Sequence, residues 1–223
     1  MTLLRNLMLC SLLISFLPGM GQKKERKKIK MSTEVLNDFS KNREGIPEKL
    51  FTTSQAIIIV PKLINAGFVV AGERGKGIAM VKDAKGLWSD PIFITLTGGS
   101  AGFQAGVEAV DLVLLFKKRE TLQNFGKGSF TLGGDISVTA GPFGRSSTAS
   151  TDYKLDAEVY SYSKSKGLFG GFSITGSSLI FDKKATKAFY GKEQTAMGIF
   201  QAKTHSSSAE VKEMLGVLNK LFK

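Results

Sequence analysis

Six of the eight residues from Lys23 to Lys30 are basic: Lys23, Lys24, Arg26, Lys27, Lys28 and Lys30, with Glu25 the one acid among them. Ammonium and guanidinium groups at that density attract polyanions. Smaller basic groups stand beside glycines further on: Arg74 and Lys76 in Glu73-Arg74-Gly75-Lys76-Gly77, Arg145 in Gly141-Pro142-Phe143-Gly144-Arg145, and Lys164 and Lys166 just before Gly167. Glycine-bearing turns carry such cations to loop tips, where binding residues concentrate. The first of these stretches is not a phosphate loop. That motif needs glycine five residues before the Gly-Lys pair and Ser or Thr after the lysine, and Val70 and Gly77 hold those positions. The spacing of Gly72, Gly75 and Gly77 also reverses the dinucleotide fingerprint, and a strand follows where that fingerprint requires a helix.

Few residues are equipped for catalysis. His205 is the only histidine and Cys10 the only cysteine, so a zinc site of His and Cys and a cysteine nucleophile beyond the apolar first 21 residues are excluded. A hydrolase would have to use a Ser-Lys pair or two carboxylates such as Asp135 and Asp152. No metal or cofactor is called for.

The chain has 223 residues and a formal charge of +12, which implies a polyanionic partner without choosing among anionic lipid, acidic protein and nucleic acid. Nucleic acid ranks below lipid, because the aromatics lie in apolar runs and are not interleaved with the basic tract as a stacking platform would be. Residues 1–21 carry Arg5, an apolar run from Leu7 to Leu17, Pro18 and the small-x-small tripeptide Gly19-Met20-Gly21. That is the layout of a signal peptide cleaved before Gln22, and it predicts an exported, periplasmic or membrane-associated protein. An uncleaved anchor is the alternative, since positive charge close after an apolar segment favours the cytoplasmic side.

The elements that would position these residues follow from periodicity. Residues 22–31 read as a polybasic arm, and a domain spans 32–223. Its first helix starts at Ser32 or Thr33 as cap, with Val35, Leu36 and Phe39 on one apolar face that either packs on the sheet or enters a membrane interface. A short helix from Pro47 leads into a strand from Ala56 to Val60, which Pro61 ends. From Leu63 to Val81 the pattern predicts a hairpin whose strands are Phe68–Ala71 and Ile78–Val81 and whose turn is Glu73–Lys76. Further strands are expected at 92–97, 103–110, 111–116, 172–175 and 178–181, with Trp88 as a core anchor. A final helix carries Val211, Leu215, Leu218 and Phe222 at i, i+4, i+7 and i+11. Glycine-rich turns and few helices for crossovers predict an α+β fold, with a mainly antiparallel, strongly curved or barrel-like sheet flanked by N- and C-terminal helices.

In order along roughly 190 residues stand Ala66-Gly67-Phe68, Gly75-Lys76-Gly77, Trp88-Ser89 with Pro91, Gly102-Phe103-Gln104 with Gly106, Asp111-Leu112-Val113, Leu132-Gly133-Gly134, Gly141-Pro142 with Gly144-Arg145, Ser163 to Phe169, and Phe189-Tyr190-Gly191. With these the chain resembles the SYLF domain, also called the Ysc84 actin-binding domain. The resemblance implies a lipid-binding module: eukaryotic relatives bind phosphoinositides, and the yeast actin-patch proteins bind actin filaments. In animal relatives a basic amphipathic helix at the start of the domain carries the lipid contact, and its counterpart by position is Lys27 to Phe39. The leader resembles that of exported bacterial members, for which anionic phospholipid or lipopolysaccharide is the expected ligand.

The function expected is therefore non-catalytic binding of anionic phospholipid surfaces. Lys23, Lys24, Arg26, Lys27, Lys28 and Lys30 would supply attraction, Val35, Leu36 and Phe39 an inserting face, and Arg74, Lys76, Arg145, Lys164 and Lys166 head-group contacts. The alternative is a module that binds an acidic protein or an actin-like filament.

Overall fold

The computed structural model describes residues 19–41, 46–67, 70–101, 106–123, 129–142, 157–171, 174–202 and 205–222. Among these residues nine strands form one sheet: β1 (Ala56–Gly67), β2 (Val70–Val81), β3 (Ile92–Ala101), β4 (Gly106–Phe116), β5 (Phe130–Thr131), β6 (Val138–Ala140), β7 (Val159–Ser165), β8 (Leu168–Gly171) and β9 (Ser178–Phe181). The order across the sheet is β5-β9-β3-β2-β1-β4-β7-β6, with β8 paired to β7. Every pairing is antiparallel except β6 with β7. The sheet curls into a half-barrel between terminal helices, the α+β architecture that the turn pattern predicts.

The central strands are apolar on both sides because both faces are covered. In Ala56-Ile57-Ile58-Ile59-Val60, the side chains of Ile57 and Ile59 join one core and those of Ala56, Ile58 and Val60 the other; Val113 and Leu115 alternate with Leu112, Leu114 and Phe116 in the same way. The first core lies under four helices: α1 (Gly19–Lys41), α2 (Glu48–Thr53), α4 (Lys183–Tyr190) and α6 (Ala209–Leu221). The second fills the other face and is closed by Leu122 of α3 (Glu120–Gln123) and by Ala196, Ile199 and Phe200 of α5 (Ala196–Phe200). Trp88 anchors the first core, its ring 4.9 Å from that of Phe222 and edge-on to it. Of the predicted stripe on α6, Val211, Leu218 and Phe222 are buried, and Met214 completes the seam.

Four local expectations are corrected. The basic tract is not an arm separate from the first helix, because α1 runs unbroken from Gly19 to Lys41. Its buried face is Glu25, Ile29, Ser32, Leu36 and Phe39, a period of 3 and 4 that needs the tract to be helical. Ser32 and Thr33 are therefore buried in mid-helix rather than capping its start; the Thr33 hydroxyl donates to the Ile29 carbonyl at 3.0 Å. The strand from Ala56 does not end at Pro61. β1 continues to Gly67 across an irregularity at which one extra residue enters between Val60 and Leu63, with Lys62 at φ +53°. A bulge tolerates proline in a central strand because the ladder is already interrupted there. The Lys62 amide donates to Asp111 Oδ1 at 2.9 Å instead.

Glu73 to Lys76, expected in a turn, lie inside β2. The glycines flanking Lys76 serve close approach of strands. A Cβ on Gly75 would stand 2.5 Å from Val60 Cγ1, and one on Gly77 would strike the Ile59 carbonyl oxygen.

The mid-helix position of Ser32 is testable. Its hydroxyl is the one buried side-chain polar atom among the described residues that no protein group meets. Ser32→Ala removes that unpaired group and raises helix propensity, so denaturant unfolding should show a gain of about 1 kcal/mol. A loss of about 1 kcal/mol is what removal of a helix cap would produce.

Candidate functional site

α1 crosses the sheet, and its path is fixed at both ends. Near its start the Gln22 amide nitrogen donates to the Phe189 carbonyl of α4 at 3.2 Å, and the Lys28 ammonium lies 5.2 Å from the centre of the Phe93 ring on β3. Near its end Asp38 pairs with Lys164 of β7, and the Phe39 ring meets Phe169 of β8 edge-on at 5.0 Å. Beside the first half of α1 lies the β1 bulge, and beside that the stretch of β2 from Arg74 to Lys76. Alternation along β2 turns Arg74 and Lys76 to the helix-bearing face and Glu73 and Gly75 to the other.

Together these elements wall a groove of about 450 Å³ lined by Lys24, Lys27, Lys28, Met31, Pro61, Lys62, Arg74, Gly75 and Lys76. Six of the nine lining residues are cations. Two have internal partners: Lys28 Nζ is 2.6 Å from Glu25 Oε2, and Lys76 Nζ is 2.7 Å from Asp182 Oδ2. Among the described residues, no carboxylate forms an ion pair with the side chains of Lys24, Lys27, Lys62 or Arg74. Asp182 is bound on both oxygens, since Oδ1 also caps α4 by accepting from the Ala185 amide at 2.9 Å. Burial pushes its carboxyl up, yet the bonds from Lys76 and Ala185 and the charges of Lys76 and Lys28 hold it below the usual aspartate range. The result is a groove with an excess of positive charge, whose ammonium and guanidinium groups can donate to an anion with several oxygen acceptors.

The sequence-predicted residues divide. Lys24, Lys27, Lys28, Arg74 and Lys76 come together in the groove. Lys23 is exposed on α1 outside it. Arg26 and Lys30 face α6 instead, with Arg26 3.4 Å from Glu210. The Glu210 carboxyl is held low first by its own backbone amide, then by the Ser208 hydroxyl, with Arg26 and Lys30 adding to both. Val35, Leu36 and Phe39 form no exposed face: they are 6, 0 and 1% accessible and belong to the core. Lys164 sits at the far end of α1, and Lys166 is exposed in the tight β7–β8 turn, where it and Gly167 both have positive φ. Arg145 and Asp152 lie outside the described residues. Lys62 was missed by sequence reasoning; the signal that marks it is a proline interrupting an apolar run, the place where a bulge re-aims a side chain.

A larger cavity of about 560 Å³ lies along α4 and the segment after it, but there Lys187 is already paired with Glu193 at 2.8 Å. None of the predicted residues lines it.

Residues 97–221, more than half of the chain, match the sequence model of a family described as Ysc84, Las17-binding protein actin regulator. The chain belongs to the Ysc84 family. LAS seventeen-binding protein 3 of Saccharomyces cerevisiae is 34% identical over 183 residues, which is 78% of this chain and 40% of that one. SH3 domain-containing YSC84-like protein 1 of Homo sapiens is 34% identical over 177 residues, 76% of this chain and 52% of its own. The counterpart in Rattus norvegicus is 32% identical over 197 residues, 85% of this chain and 57% of its own. The chain thus spans about half the length of these curated relatives. Within this Ysc84 chain the six groove cations all precede residue 97, whereas Asp182 lies inside the stretch that matches the family.

Behind Arg74, the Glu73 carboxyl is buried and accepts from the Ser177 hydroxyl. Burial raises its pKa above the ordinary 4.5, and the Ser177 bond only partly offsets this. A folded-state pKa above the unfolded one contributes stability that is complete below pH 4.5 and lost as pH rises through the folded value. Glu73→Gln keeps an acceptor for Ser177 and cannot ionise. Its stability relative to wild type should therefore rise as unfolding is measured from pH 4 to pH 8; a constant difference would contradict the burial of Glu73.

Proposed function

We propose that the protein binds anionic phospholipid surfaces without catalysing a reaction, with the groove between α1, the β1 bulge and β2 as its phosphate site. The observation that carries the reading is the convergence of six cations from three elements on one groove of about 450 Å³. Each Lys or Arg near an anionic bilayer contributes about 1 kcal/mol, so the four without an internal ion pair supply roughly 4 kcal/mol, weakened by salt. The leader-like start of the chain supports an exported protein, for which the anionic surface is that of a membrane facing the periplasm.

Binding rather than catalysis is favoured by what the candidate catalytic groups do. His205 Nδ1 lies 2.9 Å from Asp90 Oδ1, and Asp90 Oδ2 accepts from the Ser206 amide at 2.6 Å, so the pair tethers the segment before α6. Among the described residues, no hydroxyl bonds the other ring nitrogen. Asp135 accepts from the Thr131 amide at 2.8 Å and closes a turn.

A second reading is favoured by the relatives, one of which is named for binding LAS seventeen. In it the same groove meets carboxylates on an acidic protein partner or an actin-like filament.

The test is co-sedimentation of the full chain with phosphatidylglycerol and phosphatidylcholine vesicles across a salt series. Wild type should bind the anionic vesicles alone, and the triple variant K24E/K27E/R74E should lose on the order of 100-fold or more in affinity. Lys212→Glu, an exposed position on α6, should lose far less. Equal losses in both variants would reduce the groove to bulk charge, and no binding by wild type would favour the protein partner.

A further inference from the structure

The apolar face of α1 is spent on the protein's own core, so any side chain that enters a bilayer must come from elsewhere. Ile64, Leu87, Val107, Leu168 and Ile180 are the large hydrophobic residues exposed among those described, and two of them are neighbours. Past the bulge the strands run on beyond α1 toward the connection of β1 with β2. Ile64 is opposite Arg74 on β2 and Ala109 on β4, and Ala66 is opposite Gly72 and Val107. Paired residues share a face, and residues two apart on one strand share it too. Exposure follows the same period: Gly72, Arg74 and Lys76 are exposed and Glu73 and Gly75 buried, while Val107 and Ala109 are exposed and Val110 buried. Among the described residues, the helix-bearing side of the sheet thus ends in an exposed ledge. Ile64 is 42% and Val107 76% accessible on it, with Lys62, Arg74 and Lys76 along its border with the groove.

We infer that this ledge lies flat on an anionic bilayer, with Val107 and Ile64 entering the boundary between head groups and acyl chains while Lys62 and Arg74 hold phosphates beside them. The inference rests on the membrane reading above and adds which face meets the lipid. Charge selects the occupant. Of the acids beside this ledge, Asp182 is already paired with Lys76 at 2.7 Å, and Asp111 accepts from the Lys62 amide at 2.9 Å while the exposed Lys62 side chain stays free of an ion pair among the described residues. Two apolar side chains among cations offer far less than the roughly 800 Å² per partner of a stable protein interface. A membrane interface, by contrast, is held by a few apolar groups and several cations acting together.

The chain's single tryptophan, Trp88, is 2% accessible and gives a constant fluorescence background. The experiment compares full-chain V107W with L87W, the latter at a 56% accessible position in the loop that follows β2, at the opposite end of the sheet. Each is mixed with phosphatidylglycerol vesicles with and without brominated acyl chains. V107W emission should shift to the blue and be quenched about twofold or more by bromine, and L87W should not respond. As a check that does not enlarge a side chain, V107S should bind about fivefold more weakly with an unchanged salt slope. Co-sedimentation without any V107W response, or equal quenching of both variants, would overturn the ledge while leaving membrane binding intact. Failure of wild type to co-sediment would overturn both.

Discussion

The docking of α1 across the sheet is the interaction on which the other features depend. One stripe of five residues, Glu25, Ile29, Ser32, Leu36 and Phe39, is buried against strands and helices far away in sequence. Burying three large apolar side chains there contributes several kcal/mol, on the order of 2 each, enough to order a tract whose like charges oppose helix formation. Once the stripe is down, the positions between its residues are fixed. Lys24, Lys27 and Lys28 point along the sheet toward the bulge, whereas Arg26 and Lys30 point toward α6. A run of charge that would be diffuse on a loose chain becomes two walls with different neighbours.

The bulge in β1 is the second constraint, and it acts through backbone geometry. The residue inserted between Val60 and Leu63 flips the alternation of β1, so that Leu63 stays in the core while Lys62 and Ile64 reach the outer face. β2 has no such insertion and must bend close against it, which is why glycine stands at 75 and 77 on either side of Lys76. Within Glu-Arg-Gly-Lys-Gly the glycines at 75 and 77 therefore leave room for β1 on the inner face, while Arg74 and Lys76 point to the outer one. Asp182 ties this corner to α4, since one carboxylate both caps that helix and holds Lys76.

The sheet was legible in the sequence because its signals are local. The continuous apolar runs at Ala56–Val60 and Asp111–Phe116 mark strands buried on both faces, and the stripe from Val211 to Phe222 marks a helix buried on one. The groove was not legible as a unit, although five of its six cations stood out by charge. Its third wall depends on docking between elements remote in sequence, and the α1 stripe that permits docking is disguised by Glu25 and Ser32 among its apolar members. Glycines beside charged residues read as a turn by propensity, but the strand pairing of 74–76 with 95–97 overrides it. The inserting face failed for a related reason: periodicity shows that Val35, Leu36 and Phe39 lie together, not what covers them.

The most direct measurement is amide hydrogen exchange over residues 22–31 in the full chain without lipid. If α1 is docked through Ile29 and Ser32, these amides should be protected by more than about 100-fold over an unstructured chain and should open together with Leu36 and Phe39. Exchange at the rate of free peptide from 22 to 31, with protection starting only after Ser32, would restore a loose basic arm and remove one wall of the groove.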